Sequence, residues 1–285
     1  MNGILASFIG ASLQSLNYLS TQSSGNKLTT IQTLSAIHVG MGVIALPCLL
    51  FSGLLLQLGW GDLYSLMLVN VPYLLAQLLL LLAINRTDAS TVSPLLSLKI
   101  PALALIAFCQ SGHLLTLNQA LSMLLIVALS FGLCRLNSHQ RTSLLPLLLI
   151  TGTSICYCLS DIAILAFSHK LASPSLYQRA FATVIINYSF CALLSLPIFV
   201  ALRTPPRALL DLKIPAISWI AAVFFLIIGF NQSGVLSANV IQSTRGIISI
   251  VVAFFLFHTT HSHRDWLKRL GISLGMSLSV LLFFL

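Results

Sequence analysis

Glutamate is absent from all 285 residues, and of the five aspartates only Asp161 falls inside a long apolar stretch. Charged residues make up 7% of the chain and hydrophobic ones 58%, whereas soluble domains carry about a quarter charged residues. The chain therefore reads as a membrane protein, all-α because only helices and closed barrels satisfy their backbone inside a bilayer. The six cysteines form no C-x-x-C pair and no metal-ligand spacing, so they read as small buried hydrophobes. A phosphate-binding ATP loop is missing, no ring of repeated charge marks a channel filter, and paired catalytic groups on adjacent helices are lacking. The net charge of +9 is spread singly along the chain and builds no nucleic-acid-binding patch.

What is present is a series of hydrophobic stretches, each near the roughly 20 residues a bilayer crossing needs. They run at about 2–20, 31–56, 61–84, 88–109, 112–134, 143–168, 179–202, 214–232, 234–257 and 266–285. Ten transmembrane helices in one domain are expected, with short connections and no extramembrane module. The first stretch lacks a basic start and a small-residue cleavage site, and its Gln14 and Asn17 suit an interior face, so it reads as helix 1. Connections after odd-numbered helices hold Lys27, Arg86, Arg135, Arg141, Arg203, Arg207, Lys213, Arg264, Lys268 and Arg269; those after even-numbered ones hold Lys170 and Arg179. The asymmetry places the odd connections in the cytoplasm, with a bacterial inner membrane as the expected location.

The two remaining basic residues, Lys99 and Arg245, fall at the midpoints of helices 4 and 9. Sliding the chain by their offset also places Thr91 on Ser237, Leu95 on Ile241 and Ser97 on Ser243. Each cation then stands in the fourth helix of a set of five, about 1–134 and 143–285. Five is odd, so the second set crosses in the opposite sense, which is the inverted-repeat arrangement of many transporters.

A charge at the bilayer centre costs about 2.5–3.5 kcal/mol on insertion scales, and a lysine stem of about 6 Å cannot snorkel across roughly 15 Å of half-core. An internal ion pair is the alternative, but one carboxylate cannot neutralise two cations. At least one positive charge is expected to face a watery cavity or an anion. Helical spacing puts Gln242 and Ser249 on the stripe of Arg245, a polar pocket wall, while Lys99 has only apolar neighbours at the same spacing. Pro101 beside Lys99 and Gly246 beside Arg245 are candidate hinges. Asp161 is the candidate coupling-proton site, or else a helix-end residue in headgroup water. His258, His261 and His263 read as a connection and not as a metal site; His38 and His113 read as hydrogen-bonded residues. Gly271 and Gly275, at small-xxx-small spacing, allow close packing of helix 10 within the bundle or across a homodimer.

The segment LKIPALALIAF, residues 98–108, resembles the fourth-helix segment of nucleotide-sugar transporters of the CMP-sialic acid and UDP-galactose type. The whole layout resembles the drug/metabolite transporter superfamily, including its EamA-type branch. The resemblance implies a central cavity bounded by helices 1, 3, 4, 6, 8 and 9, no cofactor, and a substrate exposed to each side in turn. In phosphate-binding branches basic residues of helices 4 and 9 hold the anion, by position Lys99 and Arg245. The expectation is a secondary transporter, not an enzyme, for a small anionic metabolite: an organophosphate, carboxylate or amino acid. An exporter of cationic drugs and an intramembrane enzyme acting on lipid phosphate are the alternatives.

Overall fold

A computed structural model describes residues 1–24, 28–54, 58–111, 116–136, 144–171, 173, 175–255 and 263–283. Among these residues the chain is helical with no strand. Helices α1 (Gly3–Ser24), α2 (Thr30–Phe51) and α3 (Trp60–Ile84) lead to a fourth segment in two pieces. Those pieces are α4 (Ala89–Leu95) and α5 (Lys99–Ser111), joined by a 3₁₀ turn over Leu96–Leu98. Next come α6 (Leu117–Leu136), α7 (Leu145–Lys170), α8 (Leu176–Ala201), the short α9 (Arg207–Asp211) and α10 (Lys213–Ser233). A second broken segment, α11 (Val235–Gln242) and α12 (Arg245–Phe255), precedes α13 (His263–Leu282).

Eight of these helical segments, counting each broken pair as one, are long and apolar enough to cross a membrane. The protein is therefore a multi-pass membrane protein by composition and length. Against the ten expected crossings, α1 and α13 have comparable length but are more polar. Gln14, Asn17 and Gln22 lie along α1, and Arg264, Asp265, Lys268 and Arg269 along the start of α13.

Helix starts follow from local chemistry. Thr29 and Gln32 form a reciprocal capping box at α2, Asp88 accepts from the Thr91 amide at α4, and Ser175 accepts from the Gln178 amide at α8. A single residue, Gly234, joins α10 to α11 at φ +77°, a left-handed conformation that glycine adopts without strain.

The helices pack as long antiparallel pairs: α1 along α10, α2 along α8, α3 along α7, α6 along α13, and α4 against α12. Small residues set the approach. A Cβ on Gly42 would meet the Ala192 Cβ at 2.1 Å, and one on Gly229 would meet Ser7 Oγ at 2.2 Å. Asn17 Nδ2 donates to the Pro215 carbonyl at 2.7 Å, and Lys170 Nζ donates to Ser65 Oγ at 2.7 Å.

Both central segments differ from the continuous helices the sequence suggests. The interruptions fall at Leu96–Leu98 and at residues 243–244, so Lys99 and Arg245 are each the first residue of a new helix. Pro101 occupies the first turn of α5, where its missing amide hydrogen breaks no helical bond. The interruption lies on its N-terminal side and includes Ser97, whose carbonyl a continuous helix would have pressed against the proline ring. Gly246 acts through packing. A Cβ there would lie 2.7 Å from Pro94 Cα and 2.9 Å from Ser273 Oγ, so its hydrogen lets α12 seat against α4.

Arg269, assigned above to a connection, is buried in α13. Its Nη1 contacts both Asp88 carboxylate oxygens at 3.1 and 3.0 Å and the hydroxyls of Ser90 and Thr91. Of the two packing glycines of α13, Gly275 faces Leu129 of α6, whereas a Cβ on Gly271 would meet nothing. Lys27, Arg141, His113, His258 and His261 lie outside the described residues.

Candidate functional site

Lys99 and Arg245, each at an interruption, both line one cavity of about 30 Å³. Space of roughly 10–15 Å³ holds one water, so the cavity is closed to anything larger than one or two waters. Its lining includes Gln14 of α1, Tyr73 of α3, Lys99 of α5, Tyr157 and Asp161 of α7, Asn187 and Tyr188 of α8, Trp219 of α10 and Arg245 of α12. The walls expected from helices 1, 3, 4, 6, 8 and 9 are thus present, with the seventh long segment, α8, added.

Lys99 is paired. Its Nζ donates to Asp161 Oδ2 at 2.6 Å, with the side chains 5% and 15% exposed, and it stands 5.4 Å from the Tyr157 ring centroid. Asp161 lies well inside α7, so its place is this cavity wall and not the helix end. The same Oδ2 also accepts from Asn239 Nδ2 of α11 at 3.0 Å, which links both broken segments through one carboxylate oxygen. The apolar i±3 and i±4 neighbours of Lys99 did not reveal this partner, because it comes from another helix.

Among the described residues Arg245 meets only neutral groups. Nη1 donates to Gln14 Oε1 at 2.9 Å and Gln242 Oε1 at 3.3 Å, and Nη2 donates to the Leu96 carbonyl at 3.1 Å. That carbonyl also accepts the Lys99 backbone amide within the interruption of the other broken segment. Arg245 Nε is buried without a partner, and the guanidinium makes no salt bridge among the described residues. Two cations and one carboxylate leave this cavity with a surplus positive charge at Arg245. Three hydrogen bonds use three of the guanidinium's five N–H donors; Nε is among the unused ones, and an unpaired buried donor is costly.

Gln14, a substrate-binding candidate expected on an interior face, lines the cavity, and Gln242, expected beside Arg245, accepts from its guanidinium. Ser249 lies elsewhere. Its hydroxyl donates to Ser93 Oγ at 2.8 Å, because the i+4 side chain from Arg245 faces α4.

An aromatic cluster forms one side of the cavity and gave no local signal in sequence, since its members come from separate helices. Trp219 lies 6.2 Å from Tyr157, 6.0 Å from Tyr73 and 6.1 Å from Tyr18, centroid to centroid. His38 orients Tyr73. Its Nδ1 lies 2.7 Å from the Leu34 carbonyl and must carry the proton, which leaves Nε2 to accept from the Tyr73 hydroxyl at 3.2 Å. Gln77 Nε2 donates to the same hydroxyl at 3.3 Å. His38 is thus a hydrogen-bonded core residue.

No family model matches the chain, and no curated protein matches it. A solved structure described as the crystal structure of a protein aligns over 97% of this chain and 95% of its own. Its TM-score is 0.66 at 14% identity. The two share a fold along nearly their whole lengths.

Proposed function

We propose that the chain is a secondary transporter of the drug/metabolite transporter type, carrying a small anionic metabolite by alternating access between two inverted five-helix halves. The observation that carries this reading is the Arg245 guanidinium, buried at the cavity wall with neutral partners and an unused Nε donor. A carboxylate or phosphate oxygen at Nε would supply the missing charge and the missing acceptor together. Lys99, expected to share the anion, has its charge met by Asp161 and serves the site through that pair. Recognition of a cationic drug is less favoured, because the one carboxylate at the cavity is already held by Lys99.

The halves are supported by the pairing of helices. Exchanging the first five long segments with the last five turns α1–α10 into α7–α3 and α4–α12 into α11–α5, and maps α2–α8 and α6–α13 onto themselves. In this reading α1 and α13 also cross the bilayer, the odd connections face the cytoplasm, and the membrane is a bacterial inner membrane. The cavity, with room for one or two waters, widens in this reading to admit the anion. The interruptions beside Lys99 and Arg245 are where each central segment bends as the halves move. Asp161, bound to both broken segments, is the place where a coupling proton would loosen them.

Uptake by proteoliposomes loaded with one anionic metabolite and offered labelled anionic, neutral and cationic compounds tests the reading. Accumulation of an anion, faster when an anion waits on the far side and absent in Arg245→Ala, is expected. Accumulation of cations alone, or anion uptake unchanged in Arg245→Ala, would overturn it.

A further inference from the structure

We propose a second site: the groove between α2, α3 and α8 binds one acyl chain of a membrane lipid. The groove measures about 460 Å³, far larger than the central cavity. Gly42 and Leu46 of α2, Leu63 and Leu66 of α3, and Phe190 and Leu193 of α8 are among its walls, and Ser189 is its single polar side chain. Water needs two to four polar partners to stay in such a place. One hydroxyl does not provide them, so an aqueous filling is unfavourable.

The occupant follows from where the groove opens. All three helices are long and apolar enough to cross a membrane, so their outward faces meet hydrocarbon. The rim residues Val43, Leu46, Leu63 and Leu193 are between 41% and 63% exposed on that face, so the groove continues the lipid-contacting surface inward. A flexible hydrocarbon chain is present there in excess and matches the lining. A helix from a second copy, about 10 Å across with a pitch of 5.4 Å, would fill this volume with about one turn. Gly42 is already committed to contact with Ala192, which holds α2 and α8 together along one flank of the groove.

The position gives the chain a place next to the transport pathway. Ile186 and Phe190 of α8 face the groove, while Asn187 and Tyr188 of the same helix line the central cavity. Between the two spaces Asn70 Nδ2 of α3 donates to Asn187 Oδ1 at 2.8 Å. The acyl chain therefore sits one helix wall from the central site, against the seam between α3 and α8.

The test reconstitutes the full chain in nanodiscs containing a phospholipid with a diazirine in its acyl chain, dilutes into unlabelled lipid, photolyses and maps labelled residues by mass spectrometry. Label on groove positions of α2, α3 and α8 is expected to outlast label on the outward residues Leu121 and Leu124 of α6 by several-fold. Filling the groove with Leu193→Trp, or from the opposite wall with Val43→Phe, should remove several-fold of the groove label and spare α6, with thermal unfolding confirming that each variant folds. Equal loss at groove and α6 on dilution, groove label unchanged in a folded filled variant, or protein dimers cross-linked through groove residues would overturn the proposal.

Discussion

Lys99 and Arg245 stand in two regions built on one plan. Each opens a helix after an interruption, and each has a backbone carbonyl that accepts from a small side chain of a helix distant in sequence, α7 for Lys99 and α1 for Arg245. Cys158 Sγ of α7 donates to the Lys99 carbonyl at 3.4 Å, and Ser15 Oγ of α1 to the Arg245 carbonyl at 3.0 Å. Each cation also sends its side chain to that same helix, Lys99 to Asp161 and Arg245 to Gln14. The difference is a carboxylate against an amide. Similar backbones thus carry one neutralised pair and one buried cation with neutral partners, and the partner on the opposing helix decides which.

The largest expected effect comes from breaking the neutral side. Asp161→Ala leaves the Lys99 ammonium buried and unpaired, a loss of about 3–5 kcal/mol for breaking a buried pair, visible in thermal unfolding in detergent. Replacing both partners together, as Lys99→Met with Asp161→Leu, should recover most of that stability, since matched apolar substitution of a buried pair is often neutral. Gly246→Ala should cost about 1–3 kcal/mol through overpacking against Pro94, with Gly246→Ser no better. Arg245→Ala removes a cation that has no paired charge but takes the donor from the Gln14 and Gln242 side-chain oxygens, so its stability cost should be smaller than that of Asp161→Ala, about 1–3 kcal/mol. The smallest change is Gln14→Leu, about 1.5 kcal/mol, the low end for one hydrogen bond to a charged group, because Gln242 still accepts from the same nitrogen. It should weaken anion binding less than Arg245→Ala does.

Much of the comparison was legible in sequence. The matched mid-membrane positions of Lys99 and Arg245, their common offset, and the single intramembrane carboxylate all rest on polar residues that are expensive in an apolar span. What was not legible depends on contacts between helices distant in sequence. Local spacing around Lys99 shows leucines and alanine, while its partner lies 62 residues on. Spacing around Arg245 suggested Ser249 as cavity wall, yet that face is turned to α4. Tyr73, Tyr157, Tyr188 and Trp219 carry no local signal, because the helices that bring them together are distant in sequence. Asp88 and Arg269 read as connection charges because a helix-capping aspartate near a span end looks the same in sequence whether or not a buried arginine meets it.

The most direct test of the difference between the two regions is thermal stabilisation by a panel of anionic metabolites, measured on the parent, on Arg245→Ala and on the Lys99→Met/Asp161→Leu double variant. Ligand binding to the folded state raises its stability with occupancy. The account predicts that an anion stabilises the parent and the double variant and fails to stabilise Arg245→Ala. Stabilisation that persists in Arg245→Ala and vanishes in the double variant would contradict it, placing the anion at Lys99 instead.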